Sequence, residues 1–309
     1  MQSPRAKKFI KRGLRRILEI GQRFGVNILP LHFYSEIPDL RELRNSEHWR
    51  KPKSMVEVNG IDRASQFDFI EECCSEKLIE RQKRENIYDS CCNRNGEAGF
   101  GIVEADFLYC FILSKRPQKI VQVGAGLSTA VILLAAKEAG YTPQIVCIDP
   151  YPNEFLKQAH NLNEIRLIPE KAERVDLHVF TDLGQTGFLF VDSTHAVKPG
   201  SEVNYLILEV LPILHTGNWV HFHDVHFPFD YPRDILSTGL FFPNESVLLH
   251  AFLIANRKYI LRAALSMLHY GNPLKLQKYL PNYKPSQNIY GLQISEGHFP
   301  SSAYLQVIE

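Results

Sequence analysis

Between residues 119 and 225, short apolar segments alternate with segments of helical period, and this alternation restricts the possible folds more than any other feature. Helical patterns such as 127–140 and 201–214 separate five segments that have the length and composition of buried strands: 119–124, 144–150, 164–169, 187–192 and 218–225. Strands that alternate with helices form a largely parallel sheet with helices on both faces. The chain is therefore predicted to have an α/β fold, to which the β-rich segments 258–265 and 303–309 add two strands.

The residues before this pattern are predicted to form a separate extension. Residues 1–97 would be an N-terminal basic helix followed by a lid-like segment, and residues 98–309 the main domain. The first 25 residues carry eight Lys or Arg and one Glu, with apolar residues near helical spacing. A basic amphipathic helix of this kind can attach to anionic lipid or to a protein partner. The alternative is a solvated arm, or a helix that packs on the domain.

Composition limits the remaining function classes. The 309 residues are 45% hydrophobic, which is enough for a large core, and a formal charge of +1 argues against a specific nucleic-acid partner. The six cysteines have no C-x-x-C spacing and follow no export signal, which indicates a reducing compartment. No apolar run approaches the roughly 18 residues of a membrane span. We expect a cytoplasmic protein, or one held at a membrane surface by its basic helix, and an oligomer is compatible with the sequence.

Ligands of parallel α/β sheets bind at the carboxyl ends of the strands, and the informative residues of this chain follow its predicted strands. The first strand leads into 121-VQVGAGLSTA-130, where glycines at 124 and 126 allow a tight turn and a close backbone approach to a ligand. Thr129 replaces the third glycine of the dinucleotide fingerprint, and Asp149 after the second strand can accept hydrogen bonds from a ribose. This pattern suits a nucleoside-bearing cofactor without a pyrophosphate. The alternative is a glycine turn beside an exposed aspartate.

Three motifs together resemble the class I S-adenosylmethionine-dependent methyltransferases. They are V-x-V-G-x-G-x-S-T in the first turn, I-D-P after the second strand, and 188-FLFVDSTHAVKPGSEVNYLILEVLPIL-214 followed by V-H-F-H-D-V-H-F-P-F-D-Y-P. Within that superfamily the chain looks most similar to a bacterial small-molecule or saccharide-type subgroup, over residues 98–262. The resemblance implies a Rossmann-like methyltransferase fold with a mostly parallel seven-stranded sheet, helices on both faces and an antiparallel last strand.

The resemblance also implies how S-adenosyl-L-methionine is held. The residues that would line the cofactor are Gly124, Ala125, Gly126, Ser128, Asp149, Glu170 and Asp192. Of these, Asp149 would hold the ribose and Glu170 would lie near the adenine. Because the sulfonium is already an activated methyl donor, the protein mainly has to align the acceptor and help to remove its proton.

The catechol-type O-methyltransferases have a similar strand-end pattern, in which an Asp after the fourth strand and an acidic-amide pair after the fifth bind a divalent cation. The matching positions here are Asp192 and the pair His223-Asp224, and His195 stands where that branch has a lysine base. Asp192, His195 and His223 are thus the candidate catalytic residues. A histidine in place of a carboxylate makes the site softer, so that Mg²⁺ and a transition metal are both open. The alternatives are a metal-free site with His195 or His223 as base, and a structural role for the imidazoles.

The sequence therefore predicts an S-adenosylmethionine-dependent methyltransferase that acts on the oxygen of a hydroxylated small molecule or saccharide precursor. Two alternatives are an NAD-dependent oxidoreductase, against which the missing third glycine counts, and a catalytically silent binding protein on a methyltransferase fold. Among the neighbouring histidines, His221 is predicted to be buried and structural, and His226 to face either the acceptor pocket or solvent. His215, at a helix end, has no predicted catalytic role.

Overall fold

The computed structural model describes residues 4–237, 241–288, 291–294 and 297–309 of the chain. The chain forms two compact units, Met1–Trp49 and Arg50–Glu309. The first unit contains the predicted basic helix as α1 (Pro4–Arg23) and a short helix α2 (Leu40–Asn45), whose first turn is capped by the Asp39 carboxylate. Attachment of α1 to lipid or to a partner stays a prediction. Within the described ranges, every helix is too short or too polar to cross a bilayer.

Three helices open the second unit, where the sequence predicts a helical and irregular, lid-like extension with a charged helical patch over 71–85: α3 (Arg63–Cys73), α4 (Glu76–Arg84) and α5 (Ile87–Asn95). Their apolar side chains, among them Ile70 and Cys91, belong to the same core as one face of the sheet. Gln82 is the buried residue of α4, and Leu78 and Ile79 of this otherwise charged helix pack partly buried against the same core. The predicted boundary between residues 97 and 98 stays a prediction about where the main domain begins.

The rest of the second unit follows the predicted alternation of strands and helices. Its helices are α6 (Ile102–Lys115), α7 (Leu127–Glu138), α8 (Glu154–Asn161), α9 (Leu177–Thr181), α10 (Glu202–Tyr205), α11 (Glu245–Leu253), α12 (Leu265–Gly271) and α13 (Pro273–Tyr279). Its strands are β1 (Lys119–Val123), β2 (Gln144–Ile148), β3 (Arg166–Ile168), β4 (Phe188–Val191), β5 (Trp219–Phe222), β6 (Tyr259–Ala264), β7 (Ser286–Asn288), β8 (Gly291–Gln293) and β9 (Ala303–Val307).

Seven of these strands form one sheet in the order β3-β2-β1-β4-β5-β9-β6. All neighbours are parallel except β9, which is antiparallel to both β5 and β6, so that the predicted sheet with its antiparallel last strand is confirmed. Val123 is in register with Ile148 on one side and with Val191 on the other, and Val191 is in register with Phe222. The residues that follow β1, β2, β4 and β5 therefore emerge at one edge of the sheet.

The strands bury both faces, as expected for a sheet covered by helices on each side. In β4, Phe188 and Phe190 belong to the core shared with α3, α5, α6 and α7, and Leu189 and Val191 belong to the core on the other face, shared with α11. This alternation follows from the two-residue period of a strand. It explains why the strands read as continuous apolar runs rather than as alternating ones.

Two predicted elements are shorter than their sequence patterns. The predicted strand 218–225 ends as a strand at Phe222, because Asp224 has a left-handed backbone (φ 53°) that extended structure does not allow. The predicted helix 201–214 begins as α10, continues as a wider turn over Leu206–Val210 and tightens at Leu211–Ile213. Pro212 lies in that last turn, where it cannot donate the hydrogen bond that a regular helix needs.

Candidate active site

A small cavity of about 220 Å³ lies at the carboxyl ends of β1, β2 and β4. Of the seven residues that the resemblance predicts to line the cofactor, the structure places six at this cavity: Gly124, Ala125, Gly126, Ser128, Asp149 and Asp192. The turn after β1 requires glycine at its first position. A Cβ on Gly124 would lie 1.7 Å from the main-chain oxygen of Asp192, and Gly124 has a φ of 77°.

Asp149 holds its carboxylate at the edge of this cavity. One carboxylate oxygen accepts a hydrogen bond from the Ala125 N–H (3.3 Å), and the other accepts one from the Tyr151 N–H (2.8 Å). Each oxygen of an ionised carboxylate has a further lone pair, so both can still accept from a ligand. The side chain that is predicted to hold a ribose is thus fixed in position beside the glycine turn.

Thr129, which occupies the position of the third fingerprint glycine, has a structural task of its own. Its hydroxyl accepts from the Gly126 N–H (3.2 Å) and donates to the Gln122 side-chain oxygen (2.8 Å), so that it caps the first turn of α7. The Gln122 amide in turn donates to the Ser128 hydroxyl (3.1 Å). A buried polar network therefore fixes the turn, where a dinucleotide-binding protein would have a glycine.

The far wall of the cavity comes from residues that the sequence analysis did not single out, in the segment between α5 and α6. Asn95, Glu97 and Phe100 line it, and the Asn153 amide donates to both the Asn95 side-chain oxygen (2.9 Å) and the Glu97 carboxylate (3.3 Å). Glu170 is not among the lining residues. It follows β3, and its carboxylate accepts from the Lys171 N–H (2.9 Å), so its role near the adenine stays a prediction.

Beside the cavity, the ends of β4 and β5 bring together the side chains that were predicted to act in catalysis or metal binding. The Asp192 Oδ1 atom lies 3.4 Å from His195 Nε2 and 3.3 Å from His223 Nδ1. The carboxylate of Asp224 faces the same two nitrogens, at 3.5 Å from His195 Nε2 and 3.6 Å from His223 Nδ1. We call these four residues the His/Asp cluster.

Two buried glutamates that the sequence analysis did not predict contact the cluster from outside. Glu245, in the first turn of α11, accepts a hydrogen bond from His195 Nδ1 (2.8 Å), and Glu104, in the first turn of α6, accepts one from His223 Nε2 (2.5 Å). Both glutamates are only 1% exposed. Glu104 also accepts from the Ser301 N–H (2.9 Å) and the Ser302 hydroxyl (2.7 Å), just before β9. Each imidazole therefore lies between a buried carboxylate outside the cluster and the aspartates within it.

The carboxylates determine the charge of the imidazoles. Burial lowers the pKa of His195, but hydrogen bonds to Asp192 and Glu245 outweigh burial and raise the pKa to about 10. Burial also opposes a charge on His223, yet the carboxylates of Asp192 and Glu104 hold its pKa well above the ordinary value. Burial raises the pKa of Asp192, and the two facing imidazoles more than reverse this, so that its pKa lies below the usual range. In this charge state His195 must first lose its proton before it can act as the predicted base.

The backbone at the cluster is itself unusual. His195 (φ 54°) and Asp224 (φ 53°) both have left-handed backbones, which residues other than glycine seldom adopt and which concentrate at functional sites. At His195 the conformation is held from α11, because the N–H groups of Asn244 and Glu245 both donate to the His195 main-chain oxygen (3.0 and 3.2 Å). The first turn of α11 therefore binds His195 through both its main chain and its ring.

The remaining histidines of this region have structural surroundings. His221 is fully buried, stacks on Phe190 at a ring separation of 4.2 Å and hydrogen-bonds the Ser302 hydroxyl (2.9 Å), as predicted. His226 is also buried, beside Phe299, so its ring does not face solvent, which was one of the two predicted alternatives. Burial lowers the pKa of His226 to about 4. His215 lines a separate, larger cavity of about 1090 Å³ near the amino-terminal ends of β1 and β2, away from the strand ends where ligands of such sheets bind.

The order of the sheet and the antiparallel β9 are those of the Rossmann-like methyltransferase fold, and the glycine turn after β1 and the acidic residue after β2 line its candidate cofactor cavity. Residues 121–225, from β1 to just beyond β5, match the family model of a methyltransferase domain. Together with the fold, this match supports an S-adenosylmethionine-dependent methyltransferase, and it counts against the NAD-dependent oxidoreductase.

The individual proteins that are similar to this chain have low sequence identity to it. A protein of Archaeoglobus fulgidus that carries no functional description is 28% identical over 171 residues, which span 53% of this chain and 76% of the relative. The SAH-bound methyltransferase PaMTH1 of Podospora anserina is 13% identical and covers 92% of this chain and 100% of its own, at a TM-score of 0.41. The plantazolicin methyltransferase BpumL is 14% identical and covers 80% of this chain and 100% of its own, at a TM-score of 0.40. With TM-scores below 0.5, these two structures add nothing to what the sheet order and the family match show.

Proposed function

We propose that this methyltransferase transfers the methyl group of S-adenosyl-L-methionine to a hydroxyl oxygen of a small molecule or saccharide precursor, with a divalent cation held at the His/Asp cluster. One observation carries the proposal. Asp192 lines the cofactor cavity and also lies within 3.4 Å of both imidazole nitrogens. The methyl donor and the groups that can handle the acceptor's proton are therefore neighbours at one strand end.

The donor set of the cluster fits a divalent cation. Carboxylate oxygens and imidazole nitrogens are ordinary metal ligands, and Asp192, His195 and His223 each offer one ligand atom within 4.8 Å of the others. His223 Nδ1 is buried and has no hydrogen-bond partner, although it faces two carboxylates at 3.3 and 3.6 Å. These separations exceed the usual length of an N–H···O bond. Of the predicted ligands, Asp192 and His223 lie in this tight group, and Asp224 flanks it.

The residues of the chain have three tasks in this reaction. The glycine turn and Asp149 would hold the cofactor next to Asp192, because in-line transfer needs the donor and the acceptor oxygen in one fixed geometry. A divalent cation in the cluster would lower the pKa of the acceptor hydroxyl and fix its orientation. The acceptor's proton would leave through the cluster, for which His195 is the predicted base and His223 the alternative.

The acceptor pocket is proposed to lie beyond β5, next to the cluster. Segment 227–236 is aromatic and contains prolines, so it could form a wall that stacks on the acceptor or brace the loop. Phe227 and Phe229 are buried, and Phe229 packs edge-on against Tyr270 at 4.9 Å. These contacts support the bracing role for the two phenylalanines, and the half-buried residues of the segment would contact the acceptor.

Methyl transfer with ¹³C-methyl S-adenosyl-L-methionine would test the proposal directly. The purified chain would be incubated with a panel of free and activated saccharides, catechols and aliphatic alcohols, and the product's methyl resonance would be read by NMR. We expect an O-methyl signal that is lost after chelator treatment, returns on addition of a divalent cation, and is absent in Asp192→Ala. A methyl group on nitrogen, carbon or sulfur would refute oxygen as the acceptor, and full activity after complete metal removal would refute the cation.

A further inference from the structure

The two imidazoles of the His/Asp cluster differ in orientation but have the same arrangement of partners. His195 gives Nδ1 to Glu245 and presents Nε2 to the aspartates, whereas His223 gives Nε2 to Glu104 and presents Nδ1. A carboxylate on one ring nitrogen holds the proton there and leaves the lone pair of a neutral ring on the other. Metal-binding histidines in proteins almost always have such an outer partner, often a carboxylate. Once a cation displaces their inner protons, both rings would direct their lone pairs at the same space.

The spacing of the inner atoms is also that of a metal site. Four ligands placed tetrahedrally at 2.0–2.2 Å from a metal lie about 3.3–3.6 Å from one another. Asp192 Oδ1 lies 3.4 Å from His195 Nε2 and 3.3 Å from His223 Nδ1, which agrees with this spacing. Asp224 approaches His195 Nε2 with one oxygen (3.5 Å) and His223 Nδ1 with the other (3.6 Å), so it flanks the three-residue group. Regular octahedral Mg²⁺ at 2.0–2.1 Å would need ligand atoms closer together, at about 2.8–3.0 Å.

We propose that His195 is a metal ligand rather than the acceptor of a proton, and that Asp192, His195, His223 and Asp224 bind a divalent first-row transition cation in preference to Mg²⁺. The inference rests on the proposed function, since it concerns the same site. It changes the assignment made from the sequence, in which Asp192, His223 and Asp224 were the ligands and His195 the base. Two imidazoles favour a transition cation because Mg²⁺ prefers an all-oxygen environment.

Glu104 and Glu245 are then positioning residues for the two imidazoles. Glu245 could not serve as an inner ligand without breaking its bond to His195, and Glu104 is held by Ser301 and Ser302 in addition to His223. Loss of such an outer partner typically weakens metal affinity by about 10–100-fold while the ligands themselves remain. A partial loss of metal affinity therefore identifies a carboxylate that orients a ligand, because a carboxylate with only a structural role in the core would not change the metal affinity in this way.

The test measures metal binding on the whole chain, independently of methyl transfer. Metal-free protein would be titrated with Co²⁺ and Zn²⁺ by calorimetry, with Mg²⁺ as competitor, and the visible spectrum of bound Co²⁺ would report its coordination. We expect one Co²⁺ per chain, a spectrum of low coordination number, and no displacement by a large excess of Mg²⁺. His195→Ala should weaken Co²⁺ binding by more than about 100-fold, and Glu245→Gln and Glu104→Gln by about 10–100-fold each.

His215→Ala is the matched control, because His215 lies near the opposite strand ends, and it should bind Co²⁺ as the wild type does. If Glu104→Gln fails to fold, Glu245→Gln carries the same test alone. Unchanged Co²⁺ affinity in His195→Ala, or Mg²⁺ binding as tight as Co²⁺ binding, overturns the inference even in an active Mg²⁺-dependent O-methyltransferase. Tight Co²⁺ binding by a chain that methylates no hydroxyl overturns the proposed function and supports the inference.

Discussion

Replacement of Gly124 by alanine should damage the cofactor cavity and the His/Asp cluster together. The new Cβ would lie 1.7 Å from the main-chain oxygen of Asp192, and real Cβ atoms essentially never come within 3.0 Å of another heavy atom. The main chain fixes the position of the Cβ atom, and the atom it meets is a main-chain oxygen, so no side-chain rotation can relieve the contact. Either the turn after β1 or the segment at Asp192 must move by more than an ångström.

The expected loss of stability has two parts. A left-handed φ costs an alanine about 1–2 kcal/mol, and forcing an extra methyl group into a packed site costs about 1–3 kcal/mol more. Gly124→Ala should therefore lower the free energy of unfolding by about 2–5 kcal/mol in urea denaturation. Because the displaced segment carries Asp192, the affinity for S-adenosylhomocysteine, measured by calorimetry, should also fall by at least about tenfold.

Gly140→Ala is the matched control for this prediction. Gly140 has a similar φ of 69°, but nothing lies within 4 Å of the position its Cβ would take. This variant should lose only the conformational part, about 1–2 kcal/mol, and bind S-adenosylhomocysteine as the wild type does. Equal losses of stability and unchanged cofactor affinity in the two variants would show that the close approach of Gly124 to Asp192 does not shape the site.

Three further predictions concern residues around the cofactor turn and the core. Asp149→Ala should weaken S-adenosylhomocysteine binding by about 1–3 kcal/mol in calorimetry, since charge-assisted hydrogen bonds to the ribose are lost; an unchanged affinity would remove Asp149 from the site. Thr129→Val should lower the free energy of unfolding by about 1–3 kcal/mol, because the Gln122 oxygen loses its donor; a neutral effect would contradict the network. His269 is fully buried, accepts a hydrogen bond from the Tyr283 hydroxyl at Nδ1 (2.8 Å), and has its pKa lowered by burial to about 4. The unfolded chain therefore binds an extra proton between pH 6.5 and 4, so the free energy of unfolding should fall by up to about 3 kcal/mol as the pH drops through that window. The melting temperature, measured against pH, should fall with it, and this fall should be smaller in His269→Gln.

The fold and the inner half of the site could be predicted from sequence because the signals are local. Each strand is a short apolar run, and the candidate ligand-binding residues follow directly after it, as Asp149 follows β2 and Asp192 follows β4. The parallel register then brings these strand ends to one edge without any further information from the sequence. The predicted end of the fifth strand was wrong. Strand β5 is shorter than its sequence pattern, because the backbone turns at Asp224 and directs a carboxylate at the cluster.

The outer half of the site could not be predicted because its contacts join distant parts of the chain. Glu104 is 119 residues from His223, and Glu245 is 50 residues from His195. A signal for Glu104 did exist in the sequence, since it is followed by eight residues, through Ile112, that are apolar except Asp106. A carboxylate in such a helix needs a buried partner. The sequence does not say which partner, and that depends on the packing of α6 against β5 and β9.

Asp192 connects the candidate cofactor cavity to the His/Asp cluster. Binding of the cofactor and binding of the cation should therefore influence each other. The main-chain oxygen of Asp192 abuts the glycine turn that lines the cofactor cavity, and its carboxylate faces both imidazoles. A ligand that fixes the turn therefore also restricts the carboxylate, and a cation that fixes the carboxylate restricts the turn. Linkage requires that any change the cation makes in cofactor affinity is matched by an equal change that the cofactor makes in cation affinity. With the cation proposed here, cofactor and cation should bind with positive coupling, which would favour activation of the acceptor hydroxyl when the methyl donor is in place.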